Sequence, residues 1–362
     1  MRIGIDAHVL GKGIGGVERF LAHLVALLPA QLKDHQLVVF VDATASTRVA
    51  LPQADNLEIV PLLVSNPLIE RSILLPWLAR RHRLDVLLVQ RLAPWFCGRC
   101  QLVVTVHDLT PLKYPQAYRG LTNTLIRLLT GSSVRRAKLI LTPTQVIANE
   151  VAQFFNQPAG KIVPFYNGVD TQVFFPKLAT SSSHYIFTSG AIEARKNIET
   201  LLRARALLGS NFPWSVWIAG GVRDVDYRSN LESLVNELGL ADQVRWFGFV
   251  NEAQLVELYQ GAKVFVTASR DEGFNIPPLE AMACSIPVLC SDIPVHRELF
   301  DGAAMFFPPE SPEALAAALL RLHDDAVLNE YLCRQARVCV NRLSWPAMAQ
   351  RVAAVLVQPL KL

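Results

Sequence analysis

Val264-Phe265-Val266-Thr267-Ala268-Ser269-Arg270-Asp271-Glu272-Gly273-Phe274-Asn275-Ile276-Pro277-Pro278-Leu279-Glu280-Ala281-Met282 is the stretch on which the fold turns. Val264–Thr267 reads as a short buried strand. Pro277-Pro278 suits the first turn of a helix, where a missing N–H costs nothing, and fixes where that helix begins. Gly273 permits close backbone approach, which leaves the amides of Phe274, Asn275 and Ile276 free to face a ligand. Glu272 lies in the loop and Glu280 in the first turns of the helix, eight residues apart, so they reach different parts of one extended ligand. Carboxylates do not bind phosphate, but they accept hydrogen bonds from sugar hydroxyls. The plainer reading is a pair of helix-start acids stabilised by the helix dipole.

Outward from this unit the same alternation recurs. Ile3–Ile5, Leu37–Val41, Val86–Val89, Leu102–Val106 and Leu139–Thr142 read as buried strands in the first half. Tyr185–Thr188, Ser215–Ala219, Val244–Phe247, Val288–Cys290 and Met305–Phe307 do so in the second. Amphipathic helical patterns fall between them at Val17–Leu28, Leu121–Leu129, Ile198–Leu208, Leu231–Leu238, Glu252–Tyr259 and Pro312–His323, with one more from Ser344 to about 357. Continuously apolar strands with interposed helices predict parallel sheets covered on both faces. Asn167-Gly168-Val169-Asp170 and the polar run Thr180–Ser183 interrupt the pattern, so the chain reads as α/β with two doubly wound, Rossmann-like domains, 1–172 and 173–343. Ligands of such sheets bind beyond the carboxyl ends of the strands, and with two sheets the natural site is a central cleft that both face.

Composition agrees. A chain of 362 residues accommodates two or three domains of about 100–200 residues. With 51% apolar residues and a mean hydropathy of +0.27, a disordered or fibrous chain is excluded. No uncharged apolar run approaches the ~18 residues of a membrane span. Asp6 falls where a signal peptide needs its apolar stretch, which points to the cytoplasm. Residues 1–172 hold 18 Lys and Arg against 11 Asp and Glu, whereas 173–362 hold 17 against 20. The first half therefore favours an anionic surface, for which a membrane face, nucleic acid, a phosphorylated acceptor or simply a solvated basic surface all fit. Cys97-Gly98-Arg99-Cys100 lacks the second ligand pair of a zinc site, and a strand follows it where a thioredoxin-type site needs a helix. All six cysteines read as inert thiols. Asp224-Val225-Asp226 has the form of a metal-binding pair but reads better as a solvated loop.

Three further motifs follow predicted strands. Gly11-Lys12-Gly13-Ile14-Gly15-Gly16 places glycine amides before a helix, as a phosphate cradle does. With Asp42 at the end of the next strand it also formally fits a nicotinamide-dependent oxidoreductase, although four residues separate strand from glycines. His107 in Val106-His107-Asp108-Leu109-Thr110-Pro111 is placed to donate a hydrogen bond to a phosphate or sugar oxygen, with Asp108 orienting it or capping the next turn. Arg195 and Lys196, after Ser189-Gly190, precede a helix against the dipole preference. That arrangement needs an anion beside it, for which a diphosphate is the natural candidate.

Together these residues resemble a retaining glycosyltransferase of family 4 with the GT-B architecture. The matches are Gly15-Gly16-Val17-Glu18-Arg19, His107 to Pro111, Asn167 to Asp170, Arg195-Lys196-Asn197, and Glu272 to Glu280 as an E-x7-E motif. The resemblance implies an N-terminal acceptor domain, to which a final helix in 344–362 returns, and a C-terminal nucleotide-sugar domain. It implies that Gly15, Gly16, Arg195 and Lys196 hold the diphosphate, that Glu280 holds the ribose, and that Glu272 with Gly273, Phe274, Asn275 and Ile276 holds the transferred sugar. Gly190 joins the donor site, Phe249 and Val250 carry the base, and His107 touches the sugar or the reacting centre. His107, Arg195, Lys196 and Glu272 are thus the expected catalytic group, without metal or cofactor. Many relatives have Gly-Leu-Pro at 275–277.

The Asp6-Ala7-His8 start and the stretch from His107 to Pro115 are similar to bacterial surface-polysaccharide mannosyltransferases. That implies a GDP-sugar donor (mannose, or a deoxyhexose such as rhamnose), with a UDP-sugar as second choice. It also implies a lipid-linked oligosaccharide acceptor such as an O-antigen precursor, an anionic membrane surface at the inner face of the cytoplasmic membrane, and no nucleic acid. The basic apolar stretches Pro67–Arg83 and Arg119–Lys138 suit that surface.

Overall fold

The apolar runs become strands because both of their faces are covered. The computed structural model describes residues 1–13, 15–43, 49–62, 73–113, 121–177 and 184–358. They form two units, Met1–Asn167 together with the segment from Trp345 onward, and Gly168–Ser344. The tract Thr180–Ser183 and the 67–72 part of the first basic stretch lie outside the described residues, as do Arg119 and Gly120 of the second.

The first unit holds β1 (Arg2–Asp6), β2 (Gln36–Asp42), β3 (Leu57–Leu62), β4 (Val86–Gln90), β5 (Gln101–Thr105), β6 (Leu139–Thr142) and β7 (Ile162–Pro164). They form one sheet in the order β3-β2-β1-β4-β5-β6-β7, every pair parallel. The order reverses between β1 and β4, the switch point at which doubly wound sheets open a crevice. Helix α1 (Gly16–Gln31) follows β1. Helices α2 (Leu75–Arg81), α3 (Leu121–Arg136) and α4 (Gln145–Phe155) cover the sheet face on which Leu75, Val134 and Val151 pack with Phe40, Leu87 and Val104.

The second unit holds β8 (Tyr185–Ser189), β9 (Ser215–Ala219), β10 (Val244–Gly248), β11 (Val264–Thr267), β12 (Val288–Ser291) and β13 (Met305–Phe307), in the order β10-β9-β8-β11-β12-β13, again all parallel. Its helices are α5 (Ile198–Leu207), α6 (Val225–Glu237), α7 (Glu252–Gly261), α8 (Ile276–Ala283), α9 (Pro294–Phe300), α10 (Pro312–Asp324) and α11 (Ala326–Arg342). The chain then returns to the first unit through α12 (Trp345–Val357), which packs along α1 with the Trp345 ring stacked 4.2 Å from that of His23. Both sheets have the parallel, two-sided character that the apolar runs predict.

Two strands are not foreseen. β3 is a half-exposed edge strand that tolerates Pro61, and β7 has three residues, so neither shows a continuous apolar run. Helix α6 begins six residues before the expected Leu231 because Asp224 caps it, accepting from the Tyr227 amide at 2.9 Å. That cap, worth about 1 kcal/mol, is what the Asp224–Asp226 pair supplies locally. The six cysteines are free thiols, and burial pushes Cys97 up to about 11 and Cys100 up to about 12. Among the described residues no helix is long and apolar enough to cross a membrane.

Candidate active site

In the second unit, β8 and β11 are neighbours, so the loops that leave their carboxyl ends meet. The Arg270 amide donates to Arg195 O at 2.9 Å, and its guanidinium donates to Ala194 O at 2.9 Å. These contacts zip the 194–197 loop to the 270–272 loop. Glu272, 5% exposed, then bridges the two cations. Its Oε2 lies 2.5 Å from Arg195 Nη1 and its Oε1 2.7 Å from Lys196 Nζ. Arg195 also donates to Asp271 O at 2.6 Å and to Glu193 Oε1 at 2.7 Å.

The sequence reading assigned the compensating anion to a diphosphate, but the protein itself supplies one. Burial alone would raise the Glu272 pKa; Lys196 first and Arg195 second outweigh it and hold the carboxyl well below the usual carboxylate range. Desolvation would lower the Arg195 pKa, but Glu272 and Glu193 raise it, so the guanidinium is charged at every accessible pH. The two cations are not equivalent. Arg195 spends three donors inside the protein, whereas Lys196 gives one of its three ammonium hydrogens to Glu272. Lys196 also lies beside Gly190, whose φ is +131° and where an added Cβ would stand 3.5 Å from Nζ. Lys196 and the Gly190 backbone therefore form the part of this cluster best suited to an outside phosphate.

Glu280 is buried on α8. Tyr259 Oη donates to its Oε2 at 2.8 Å, and the Ser189 hydroxyl, 2.8 Å from Tyr259 Oη, donates in turn to Tyr259. The sequence reading gives neither Tyr259 nor Ser189 a role, although Ser189 opens the stretch that carries Arg195 and Lys196; Tyr259 lies on a helix with no motif of its own. Asn197 has φ 53° and sends its side-chain amide to Ala268 O (3.1 Å) and Pro309 O (2.7 Å), pinning the cation loop to the end of β11. Asn275 is also left-handed, at φ 70°, and its amide meets Thr267 and the buried His296. Phe274 and Ile276 flank it, buried, at the start of α8. Phe249 is 87% exposed and, with Val250, borders a cavity of about 480 Å³ lined also by Tyr185, Trp217 and Phe247.

In the first unit, the glycine loop is shaped by positive φ at Gly11, Gly13 and Gly15, with Gly16 opening α1. Glu18 reaches back and accepts from the Gly11 amide at 2.7 Å. Asp42, which a nicotinamide site would need for a ribose, is ion-paired to Lys12 at 3.2 Å. His107 stands at the end of β5, its ring edge-on to Phe20 and Phe165. Its Nε2–H donates to Gln90 Oε1 at 3.0 Å, because that oxygen can only accept. Burial is the main cause of a pKa lowered to about 4; Asp108 partly offsets it and Arg91 adds to it. The ring is therefore neutral at neutral pH. With the proton on Nε2, the bare ring nitrogen is Nδ1, an acceptor where the sequence reading expects a donor. Asp108 caps the next turn, accepting from the Thr110 amide at 3.1 Å, and pairs with Arg91 at 2.9 Å. Gln90 is the group that holds the histidine, and nothing in its local sequence marks it.

Comparison with known proteins agrees with both halves. Residues 14–173 match the family described as Glycosyltransferase Family 4, and residues 170–338 match Glycosyl transferases group 1. The O-antigen chain mannosyltransferase RfbU of Salmonella typhimurium is 31% identical over 235 residues, 64% of this chain and 64% of that protein. O-antigen chain mannosyltransferase B of Escherichia coli is 28% identical over 268 residues, 67% of this chain and 66% of that one. The matched stretch thus spans just under two thirds of the length of these relatives. Sucrose-phosphate synthase from Thermosynechococcus elongatus superimposes with a TM-score of 0.78 at 21% identity, covering 98% of both chains. Anabaena HepE in complex with UDP-glucose does so with 0.77 at 19% identity, covering 98% of this chain and 99% of that one. These structures share the GT-B fold. With both halves matched to glycosyltransferase families, the nicotinamide reading of the glycine loop is set aside.

Proposed function

The chain belongs to the family 4 glycosyltransferases, and we propose that it transfers mannose, or a related GDP-linked deoxyhexose, from a nucleotide diphosphate sugar to a lipid-linked surface polysaccharide. The observation that carries this reading is the joining of Lys196, Arg195 and Glu272 beside Gly190, with Glu280 held by Tyr259 on the following helix. The cluster offers fixed positive charge and a glycine backbone to a diphosphate. Its two buried carboxylates suit the hydroxyl groups of the sugars on either side. The names of the O-antigen relatives favour mannose as the transferred sugar.

In this reading, cleavage of the anomeric bond releases a nucleoside diphosphate and an oxocarbenium-like sugar. Lys196, Arg195 and the first amides of α8 stabilise the developing phosphate charge, each such donor being worth about 3 kcal/mol. Glu272 and Glu280 orient sugar and ribose. The acceptor attacks from the face that the leaving phosphate vacates, its proton passing to that phosphate, so configuration is retained and no metal takes part.

A membrane partner is supported by one face of the first unit. Trp77 on α2, Leu125 and Leu128 on α3, and Trp95 and Phe96 on a loop tied to α3 are all more than half exposed. Arg81 lies over Trp77 and Arg136 over Trp95. From Val86 to Asn149 the sequence has one acid, Asp108, against eight Lys and Arg. Such a surface suits an anionic bilayer at the inner face of the cytoplasmic membrane.

A panel of GDP- and UDP-sugars, read as nucleotide release with a lipid-linked acceptor, tests the assignment. GDP-mannose is expected to turn over at least tenfold faster than any UDP-sugar. Preference for a UDP-sugar would overturn the donor, and stabilisation by NAD without response to any nucleotide sugar would overturn the reaction class.

A further inference from the structure

The loop that carries Glu272 turns on a left-handed residue with a side chain. Asn275 has φ 70° and ψ 79°, a region that favours glycine. Although it stands at the cap position of α8, its side chain makes no capping hydrogen bond. Instead Nδ2 donates to Thr267 Oγ1 at 3.1 Å and to His296 Nε2 at 2.9 Å.

The histidine has no freedom in this. Its Nδ1 lies 2.9 Å from Ser291 O, a carbonyl that can only accept, so the ring proton is on Nδ1 and Nε2 presents a bare lone pair. Ser291 Oγ in turn donates to Ser269 O at 2.6 Å, and Thr267 Oγ1 lies 3.2 Å from Ser269 Oγ. His296, Ser291 and Ser269 are completely buried, and Thr267 and Asn275 nearly so. The exits of β11 and β12 and the first turn of α9 thus converge on one side-chain amide.

We propose that His296 is a positioning residue: acting through Asn275, it holds the 272–276 loop in the shape that presents Glu272 and the first amides of α8 to the sugar diphosphate. The proposal rests on the donor-site reading above, and His296 itself touches no substrate. Histidine suits the task because one ring nitrogen is locked as a donor, which obliges the other to accept. A flexible amide could rotate away, and a carboxylate would add a second negative charge near Glu272. Asn197 has the same construction on the neighbouring loop, left-handed and tethered to Ala268 O. The end of β11 therefore fixes the cation loop and the acid loop relative to each other.

Asn275→Gly keeps the backbone conformation accessible and removes only the tether, whereas His296→Leu removes the acceptor. Each is expected to raise the donor KM at least tenfold, with acceptor KM unchanged. The double variant should be no worse than the poorer single one, because both break the same link. His296→Gln, which can still offer an oxygen, should recover part of the loss. Additive effects in the double variant, or an unchanged donor KM in Asn275→Gly, would overturn the proposal. Hydrogen exchange across 272–281 needs no substrate and separates this idea from the donor reading. Both variants should exchange faster there than the parent protein, with thermal unfolding reporting that the fold persists. Equal exchange rates would sink the positioning role even if no donor were ever found, while faster exchange in a protein inactive with every sugar nucleotide would sink only the donor assignment.

Discussion

Lys196 and Arg195 are neighbours in sequence with different tasks in space. Removing Arg195 takes hydrogen bonds from Asp271, Glu272 and Glu193 together and loosens two loops. Removing Lys196 leaves Glu272 still paired with Arg195. Lys196→Ala is therefore expected to lower kcat by roughly 10²–10³, the usual effect of losing one preorganised donor, with little change in unfolding temperature. Steady-state kinetics and a thermal melt check this together, and full turnover would remove Lys196 from the site. The local sequence shows that two cations before a helix need an anion. It does not show which, because Glu272 lies 77 residues beyond Arg195. Gln90 and His296 are hidden for the same reason: each acts on a residue brought near only by strand pairing.

Elements were legible where burial is two-sided. β2, β4 and β12 have continuous apolar runs because helices cover both faces, and such runs can be read directly. β3 and β7 lie toward one edge or the other of their sheet and lose that signal. The basic apolar stretches drew attention to α2 and α3. The loop Trp95-Phe96 between them carries no such signal, since two aromatic residues after a proline have no period. The structure ties that loop to α3, with Arg136 donating to Ala93 O at 3.2 Å and the Ala93 amide donating to Ser133 Oγ at 2.9 Å. Residues 125, 128, 132 and 136 follow one helical stripe, so Leu125 and Leu128 lead along α3 toward Arg136 and the ring of Trp95 beneath it. Replacing Trp95 and Phe96 together by Ser is expected to reduce flotation with anionic liposomes several-fold while leaving transfer to a soluble acceptor analogue unchanged. Undiminished flotation would make this face an ordinary solvated surface.

At the scale of the molecule, each unit holds a buried histidine kept neutral, His107 just beyond β5 in the first and His296 in the first turn of α9 in the second. For His296, burial again dominates and lowers the pKa to about 4; the hydrogen bond to Ser291 and the charge of Glu272 partly offset it, and Lys196 adds to it. Both rings titrate in the folded chain well below the 6.5 of a free imidazole. As pH falls through 6.5 the unfolded chain takes up these protons first, so folded stability declines between about pH 6.5 and 4. The loss is up to roughly 3 kcal/mol per ring by pH 4. Below the ordinary carboxyl range Glu272 acts in the same direction, because its depressed pKa stabilises the fold only while it is ionised. The urea midpoint is thus expected to drop across this window, and His296→Gln should flatten the drop. A midpoint independent of pH between 6.5 and 4 would show that neither ring is kept neutral by the fold.

The first unit is discontinuous: its sheet is complete by Asn167, but the helix that lies along α1 begins only at Trp345. A ribosome therefore delivers its parts out of order. All of Gly168–Ser344 must emerge first, which at ~5–20 residues per second takes roughly 10–35 s. Throughout that interval the flank of α1 that meets α12 is bare, so the nascent chain is at its stickiest while the second unit is still being made.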